Sequence, residues 1–148
     1  MEHLLKIPCT SMPFVCEADY SVTLTPMIHV DRTAPFHVAI YLLQGSMEII
    51  EDGIPYRIMP DQVFFLKSGI HHWGEKPFET GSSWYYAHFY CDAPSSCMEE
   101  LPRGIYYDER VSLKPSEKDR YFITLPKLIN CEEKTQIKRN FEKIAEKM

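Results

Sequence analysis

Short apolar runs recur along residues 20–92, and turn-forming residues separate one run from the next. Residues 36–43 are almost wholly apolar, whereas residues 63–66 and 84–91 are rich in aromatic side chains. Each run has the length of a strand and ends close to Gly, Pro, Asp or Ser. Short strands at this spacing predict a mostly β domain, a sandwich or a barrel, rather than a fold of alternating strands and helices.

Two local patterns add detail to this prediction. Tyr20, Val22 and Leu24 alternate with polar neighbours, which predicts a half-buried strand whose apolar side chains face the core. Asp52 and Gly53 stand between two apolar runs, and Asp-Gly in that position is the strongest short-range signal for a β-hairpin.

The pattern changes after residue 92. Ser96 and Glu99 have the spacing of a capping box and predict the start of a short helix. Residues 105–107 and 121–125 predict two further strands.

Apolar side chains then recur with a helical period, at Ile137, Phe141, Ile144 and Met148. This period predicts an amphipathic helix, and Asn130 followed by Glu133 predicts its start. The pattern is still in phase at Met148, so we expect the sequence to stop within the helix.

The net charge of −5 bears on possible partners. Surfaces that bind nucleic acid are normally basic, whereas the Lys- and Arg-rich stretch at residues 134–147 is interleaved with Glu. We therefore expect that this chain alone does not bind nucleic acid tightly.

Other features predict the compartment. No apolar run approaches the ~20 residues that span a bilayer, and residues 1–12 are too short and polar for a signal peptide. The five cysteines are widely spread and form no Cys-x-x-Cys pair. The sequence thus predicts a soluble, cytoplasmic domain with reduced thiols and no membrane partner.

A series of landmarks lies between Asp31 and Phe89. They are Asp31-Arg32, a strand ending at Gly45, the Asp52-Gly53 hairpin, Pro60-Asp61-Gln62-Val63-Phe64-Phe65, Ser68-Gly69-Ile70-His71-His72 and Ala87-His88-Phe89. In order and spacing they resemble the N-terminal domain of AraC-type transcriptional regulators. Leu125-Pro126 and the helix beyond are similar to the family's connection to its dimerising helices.

The resemblance implies a cupin-like jelly-roll β-barrel followed by a C-terminal α-helical segment. Residues 1–128 would form the sensor barrel with an N-terminal arm, and residues 129–148 would begin the dimerisation helix. Two copies would meet through Ile137, Phe141 and Ile144, giving a homodimer. DNA would be bound through a separate C-terminal helix-turn-helix domain, which we expect to be missing from this sequence.

The same resemblance bears on metal binding. Metal-binding cupins carry paired histidines and a glutamate, but here the paired positions fall near Arg32 and Ala34 and the glutamate position holds a valine. His72 matches a histidine of the second cupin motif. Because a catalytic metal needs about three protein ligands, we expect no metal and no cofactor, and a metal would require His37 or His88 as well.

A barrel without a metal is a candidate pocket for a small-molecule effector. The resemblance places Thr25 and Arg32 at sugar-contacting positions of the arabinose-responsive member, and a guanidinium suits carboxylates or paired hydroxyl groups. Trp73, Trp84 and Tyr86 replace a tyrosine, a histidine and a tryptophan of that member. Their rings suit stacking on a carbohydrate or another flat ligand.

Histidines complete the candidate ligand-binding set. In the cupin pattern His72 points inward, and His71 then points to the opposite face because strand side chains alternate. We add His72 and His88 to the set, with hydrogen-bonded structural histidines as the alternative interpretation.

Three functions are compatible with the sequence. The first, which we expect, is a non-enzymatic domain that senses an effector and dimerises in an AraC-type transcriptional regulator. The second is a free-standing metal-dependent cupin enzyme, against which the missing metal ligands and the lack of a nucleophile motif argue. The third is a scaffolding dimer whose barrel is plugged by Trp73, Trp84 and Tyr86.

Overall fold

The computed structural model describes residues 2–8, 12–91 and 122–148. The strands in this part of the chain are β1 (Leu5–Pro8), β2 (Phe14–Val22), β3 (Arg32–Thr33), β4 (His37–Gln44), β5 (Met47–Glu51), β6 (Ile54–Ile58), β7 (Gln62–Leu66), β8 (His71–Trp73), β9 (Ser83–Tyr90), β10 (Phe122–Leu125) and β11 (Leu128–Asn130). Helix α1 (Lys134–Glu146) follows them. The prediction of a mostly β domain with a C-terminal helical segment is confirmed. The helix expected at Ser96 and the strand expected at residues 105–107 lie outside the described residues.

The described strands form three antiparallel sheets. Their orders are β1-β10, β11-β7-β4-β9-β2 and β3-β8-β5-β6. Within the described residues no ladder of hydrogen bonds connects the five-stranded sheet to the four-stranded one. These strands therefore do not close into the single barrel that we expected, and the two larger sheets are joined through side chains, as in a sandwich.

The core between the two larger sheets consists of alternate residues of their strands together with Phe78, from the loop between β8 and β9. Its buried members are Val38, Ile40, Leu42, Met47, Ile49, Ile58, Phe64, Leu66, Phe78 and Trp84. Burying a large apolar side chain of this kind stabilises the fold by about 1.5–3 kcal/mol. The alternation of the strands thus accounts for the main apolar cluster.

The outer face of the five-stranded sheet is covered as well. Leu5 of β1 packs in one cluster with Ala39 of β4 and Phe89 of β9. The ring of Phe141 in α1 stacks on Tyr41 of β4 at a centroid distance of 5.7 Å. Because both faces of β4 and β9 are covered, these two strands carry nearly continuous apolar runs instead of a simple alternation.

The predicted Asp-Gly hairpin is confirmed. It joins β5 to β6, with Glu51 opposite Ile54. Asp52 has φ of 49° and Gly53 has φ of 79°. Two consecutive residues with positive φ are the geometry of a type I′ turn, which Gly adopts without strain.

The strand predicted at residues 20–25 is wrong in position and in the face that it buries. β2 ends at Val22, where Tyr20 and Val22 are both 46% exposed, and Leu24 is 79% exposed. Thr23, on the expected polar face, is only 4% exposed. Thr23 alone of the polar positions is buried, and its amide donates a hydrogen bond to the Ser82 carbonyl at 2.9 Å.

The helix begins later than the sequence predicts. Asn130 is the last residue of β11, where its side-chain oxygen accepts a hydrogen bond from Gln62 Nε2 at 2.7 Å. Glu133 is the N-cap residue, and α1 runs from Lys134 to Glu146. No helix in the described ranges is long and apolar enough to cross a membrane.

A buried ion pair connects the end of β5 to the turn between β10 and β11. Lys127 Nζ lies 2.5 Å from Glu51 Oε1, and the two side chains are 2% and 1% exposed. The second oxygen of Glu51 accepts the backbone N–H of Lys67 at 2.8 Å. Burial lowers the pKa of Lys127, and Glu51 opposes that effect by favouring the charged amine.

We expect Lys127→Met to lower the free energy of unfolding by about 3–5 kcal/mol, because it leaves the Glu51 carboxylate buried without a counter-ion. Adding Glu51→Gln should recover much of that loss, since a neutral amide oxygen still accepts the Lys67 N–H. Urea denaturation of the wild type and the two variants measures both effects. A single variant as stable as the wild type would contradict this account of the pair.

Candidate functional site

A cavity of about 340 Å³ lies between the five-stranded sheet and the segment that connects β2 to β3. Met27, His29 and Val30 of that segment line one side. Strands β2, β4 and β9 supply the opposite wall. The volume falls within the range of about 300–1,000 Å³ that is typical of small-molecule pockets.

The strand period places three of the predicted ligand-binding residues in this wall. Trp84, Tyr86 and His88 alternate along β9, so their side chains share the face that lines the cavity. On the neighbouring strand β4, Ile40 is opposite Tyr86 and Val38 is opposite His88. Aromatic and aliphatic side chains are thereby interleaved across one surface.

Arg32, in the short strand β3, forms the polar end of the cavity. Its Nε donates a hydrogen bond to His72 Nε2 at 3.2 Å, and His72 is its partner in the strand ladder. Its Nη2 makes a longer contact of 3.5 Å with His88 Nε2. The guanidinium carbon also lies 5.3 Å from the centre of the Phe36 ring. Arg32 is therefore held by neutral rings rather than by an acidic side chain.

The histidines beside Arg32 are uncharged. A guanidinium only donates hydrogen bonds, so the His72 nitrogen that accepts one carries no proton. Burial, followed by the charge of Arg32, lowers the pKa of His72 to about 4. The ring of His29 is 5.2 Å from that of His72. Burial, followed by electrostatic interactions with His72 and Arg32, lowers the pKa of His29 to about 3.

Glu17 of β2 binds the other side of this group. One of its carboxylate oxygens accepts a hydrogen bond from Tyr86 at 3.0 Å, and the other lies 3.1 Å from His88 Nδ1. Burial and the bond to Glu17 raise the pKa of Tyr86 to about 12, so its hydroxyl keeps its proton. Burial lowers the pKa of His88, and Glu17 partly opposes that effect.

The positions of the candidate metal ligands can be compared directly. Within the described ranges no group of three or more His, Cys, Asp and Glu is placed to hold a metal ion. His37, which we named as a further ligand for a metal, lies on the opposite face of β4 and directly across from Phe89. Its Nδ1 accepts the backbone N–H of Ser68 at 3.0 Å.

Three predicted ligand-binding residues, Thr25, His72 and Trp73, do not line the cavity. Thr25 is exposed, and its carbonyl accepts a hydrogen bond from the Thr23 hydroxyl. Trp73 lines a separate hollow of about 310 Å³ together with Glu48 and Lys76. Trp73 therefore does not join Trp84 and Tyr86 in one cluster, as the hypothesis of a plugged scaffolding protein requires.

The orientation of the adjacent histidines agrees with the strand pattern. His72 is fully buried and His71 is exposed, which confirms the predicted alternation. His71 stacks on Trp73 at a ring distance of 4.6 Å and lies 2.6 Å from Asp31. His72 reaches the cavity indirectly, through its hydrogen bond to Arg32.

Several residues that line the cavity were not predicted from the sequence, among them Glu17, His29 and Phe78. Glu17 lies in the stretch interpreted as an arm, His29 in an irregular segment and Phe78 in a loop rich in Gly, Pro and Ser. Glu17 faces His88 through strand pairing across 71 positions of sequence, which no local pattern indicates. The sequence did contain a signal for Phe78, because a single aromatic residue in an otherwise polar loop indicates that the loop packs against the core.

The residues predicted for dimerisation face the chain's own sheet. Phe141 packs on Tyr41, and its ring centre is 6.5 Å from that of Tyr85 in β9. Ile137 and Ile144 on the same stripe are half-buried, and no residue of α1 is fully buried. Dimerisation through this helix stays a prediction.

Comparison with family models finds no match, and comparison with curated proteins finds none either. The resemblance to AraC-type regulators therefore rests on the sequence landmarks given above.

The neutral histidines predict a pH-dependent stability. His29 and His72 have lower pKa values in the folded chain than the usual 6.5. The unfolded chain thus binds more protons between about pH 4 and 6.5, and the free energy of unfolding falls as the pH drops through this window. The slope is about 1.4 kcal/mol per pH unit for each histidine.

Urea denaturation at several pH values tests this prediction. His72→Gln should flatten the slope, whatever its effect on stability at pH 7. His71→Gln removes the exposed neighbouring imidazole and is the matched control, which should keep most of the slope. An unchanged slope in His72→Gln would show that His72 is not buried in its neutral form.

Proposed function

We propose that this chain is the effector-sensing and dimerisation domain of an AraC-type transcriptional regulator. In this proposal it is a cytoplasmic, non-enzymatic domain with a cupin-like jelly-roll fold. It binds a small molecule, such as a carbohydrate or another compound with a flat face, in the cavity beside Arg32. DNA is bound by a helix-turn-helix domain that is not part of these 148 residues.

One observation carries the proposal. Arg32, in β3, is distant in sequence from Trp84, Tyr86 and His88, which alternate along β9, yet all four of these predicted ligand-binding residues line the same cavity. His72 supports Arg32 by a hydrogen bond. The cavity combines an apolar wall with a few converging polar groups, which is the usual composition of a small-molecule site.

A sensor must also transmit the presence of its ligand. Tyr86 of β9 lines the cavity, and its neighbour Tyr85 on the opposite face contacts Phe141 of α1. A ligand with different affinities for two arrangements of β9 would therefore also change how α1 is held. In a dimeric regulator, a change in α1 would alter the relative placement of two DNA-binding domains.

The two tryptophans supply a sharp test, because Trp84 lines the cavity and Trp73 lies outside it. We would first screen the chain by thermal shift against L-arabinose, D-galactose, D-galacturonate and 3-phenylpropionate. A ligand at 100 times its dissociation constant stabilises the fold by about 2.7 kcal/mol. Fluorescence titrations of Trp73→Phe and Trp84→Phe, each with one remaining tryptophan, then locate the binding site.

We expect a stabilising compound to change the emission of Trp84 in the Trp73→Phe variant. The emission of Trp73 in the Trp84→Phe variant should stay constant, even where a thermal shift shows that this variant still binds. Emission changes confined to Trp73 would place the ligand in the other hollow and contradict the proposed site. Stabilisation by divalent metal alone, reversed by EDTA, would favour a cupin enzyme instead.

A further inference from the structure

Arg32 carries a charge that the described part of the chain does not neutralise directly. Its hydrogen-bond contacts are His72 and His88, and its ring contact is Phe36. All three are uncharged partners in the arrangement described above. Among the described residues, no carboxylate forms an ion pair with Arg32. Arg32 is half-buried, so its charge is partly removed from water and a nearby negative charge would stabilise it.

The acidic side chain that lines the cavity is already engaged elsewhere. Glu17 accepts the Tyr86 hydroxyl with one oxygen and contacts His88 with the other. His88 thus stands between the Glu17 carboxylate and the Arg32 guanidinium, with its two ring nitrogens directed to one each. The Glu17 side chain is also 58% exposed, so water screens much of its charge.

Some N–H groups of the Arg32 guanidinium take no part in these contacts. It carries five N–H groups, and the contacts to His72 and His88 involve Nε and Nη2. The remaining N–H groups of Nη1 and Nη2 form the end-on fork that binds a carboxylate with two parallel hydrogen bonds. The wall beyond this polar end is apolar and includes Ile40, Met47 and Phe78.

We infer that the effector is a small organic acid, whose carboxylate pairs with Arg32 and whose apolar or aromatic body lies against Trp84 and Ile40. This inference rests on the proposed function, since it names the chemical class of the molecule that occupies the same cavity. It also orients the ligand, with the acid group toward β3 and the body toward β4 and β9. A neutral sugar would leave the guanidinium without a counter-ion.

Matched pairs of compounds test the inference without any change to the protein. Each pair keeps shape and size while removing the charge: 3-phenylpropionate against 3-phenylpropionamide, and D-galacturonate against D-galactose. Isothermal titration of the 148-residue chain at pH 7.5 measures each affinity. We expect the acid of at least one pair to bind about tenfold to a hundredfold more tightly than its neutral analogue, as a charge-assisted hydrogen bond predicts.

Variants of the two charged residues should shift this preference in opposite directions. Arg32→Gln should abolish the preference for the acid, and Arg32→Lys, which keeps the charge but loses the fork, should retain part of it. Glu17→Gln keeps a hydrogen-bonding group while removing the negative charge, so it should strengthen binding of the acid. For each variant the ratio of the acid's affinity to that of its neutral analogue is the measured quantity, and circular dichroism checks that the variant folds.

The outcomes separate the inference from the proposed function. Equal affinity for acid and neutral analogue would overturn the inference and leave an effector site in the cavity. Preference for the acid that persists in Arg32→Gln would also overturn it, because another cation would then hold the carboxylate. No binding of either class, with no change in Trp84 emission, would count against the proposed function itself.

Discussion

The structure depends on the pairing of β4 with β9 at the centre of the five-stranded sheet. Their register sets Ile40 opposite Tyr86 and Tyr41 opposite Tyr85. Because side chains alternate along a strand, a shift of one residue in this register would exchange the two faces entirely. The face with Tyr86 would lose its place in the cavity, and the face with Tyr41 would lose its contact with α1. Burial on both faces makes such a shift unfavourable.

This central pair also explains why the cavity and the helix belong to one unit. Strands β4 and β9 form the wall of the cavity on one side and the docking surface of Phe141 on the other. Arg32 comes to the cavity from the four-stranded sheet, where the pairing of β3 with β8 places it beside His72. The site therefore needs both sheets in place, and its charged end and its apolar wall come from different sheets. The buried pair of Glu51 and Lys127 fixes a further connection between elements, at the turn before β11.

Much of the fold follows from local patterns in the sequence. The Asp52-Gly53 turn and the opposite faces of His71 and His72 were predictable because positive φ and strand alternation are properties of a few adjacent residues, whereas the inward direction of His72 was taken from the resemblance. The edge of the sheet was not predictable in this way. Tyr20 and Val22 look like core positions but are both 46% exposed, whereas the polar Thr23 is buried and bonds to the Ser82 backbone in the loop before β9.

The candidate site likewise has features that follow from local sequence and features that depend on distant pairing. The resemblance named Trp84, Tyr86 and His88, which alternation along β9 places on one face, whereas Glu17 reaches His88 through a pairing between distant strands. Trp73 was assigned to the site from the resemblance alone. It lies in the other hollow because it is in β8 of the four-stranded sheet, adjacent to the buried His72 but on the face of exposed His71.

The most direct test of the central claim is a crystal structure of the chain soaked with 3-phenylpropionate. The account predicts that the carboxylate lies about 2.7–2.9 Å from the guanidinium nitrogens of Arg32. The phenyl ring should then contact Trp84 and Ile40. A ligand bound beside Trp73, or one in the cavity with its carboxylate directed to solvent, would contradict it.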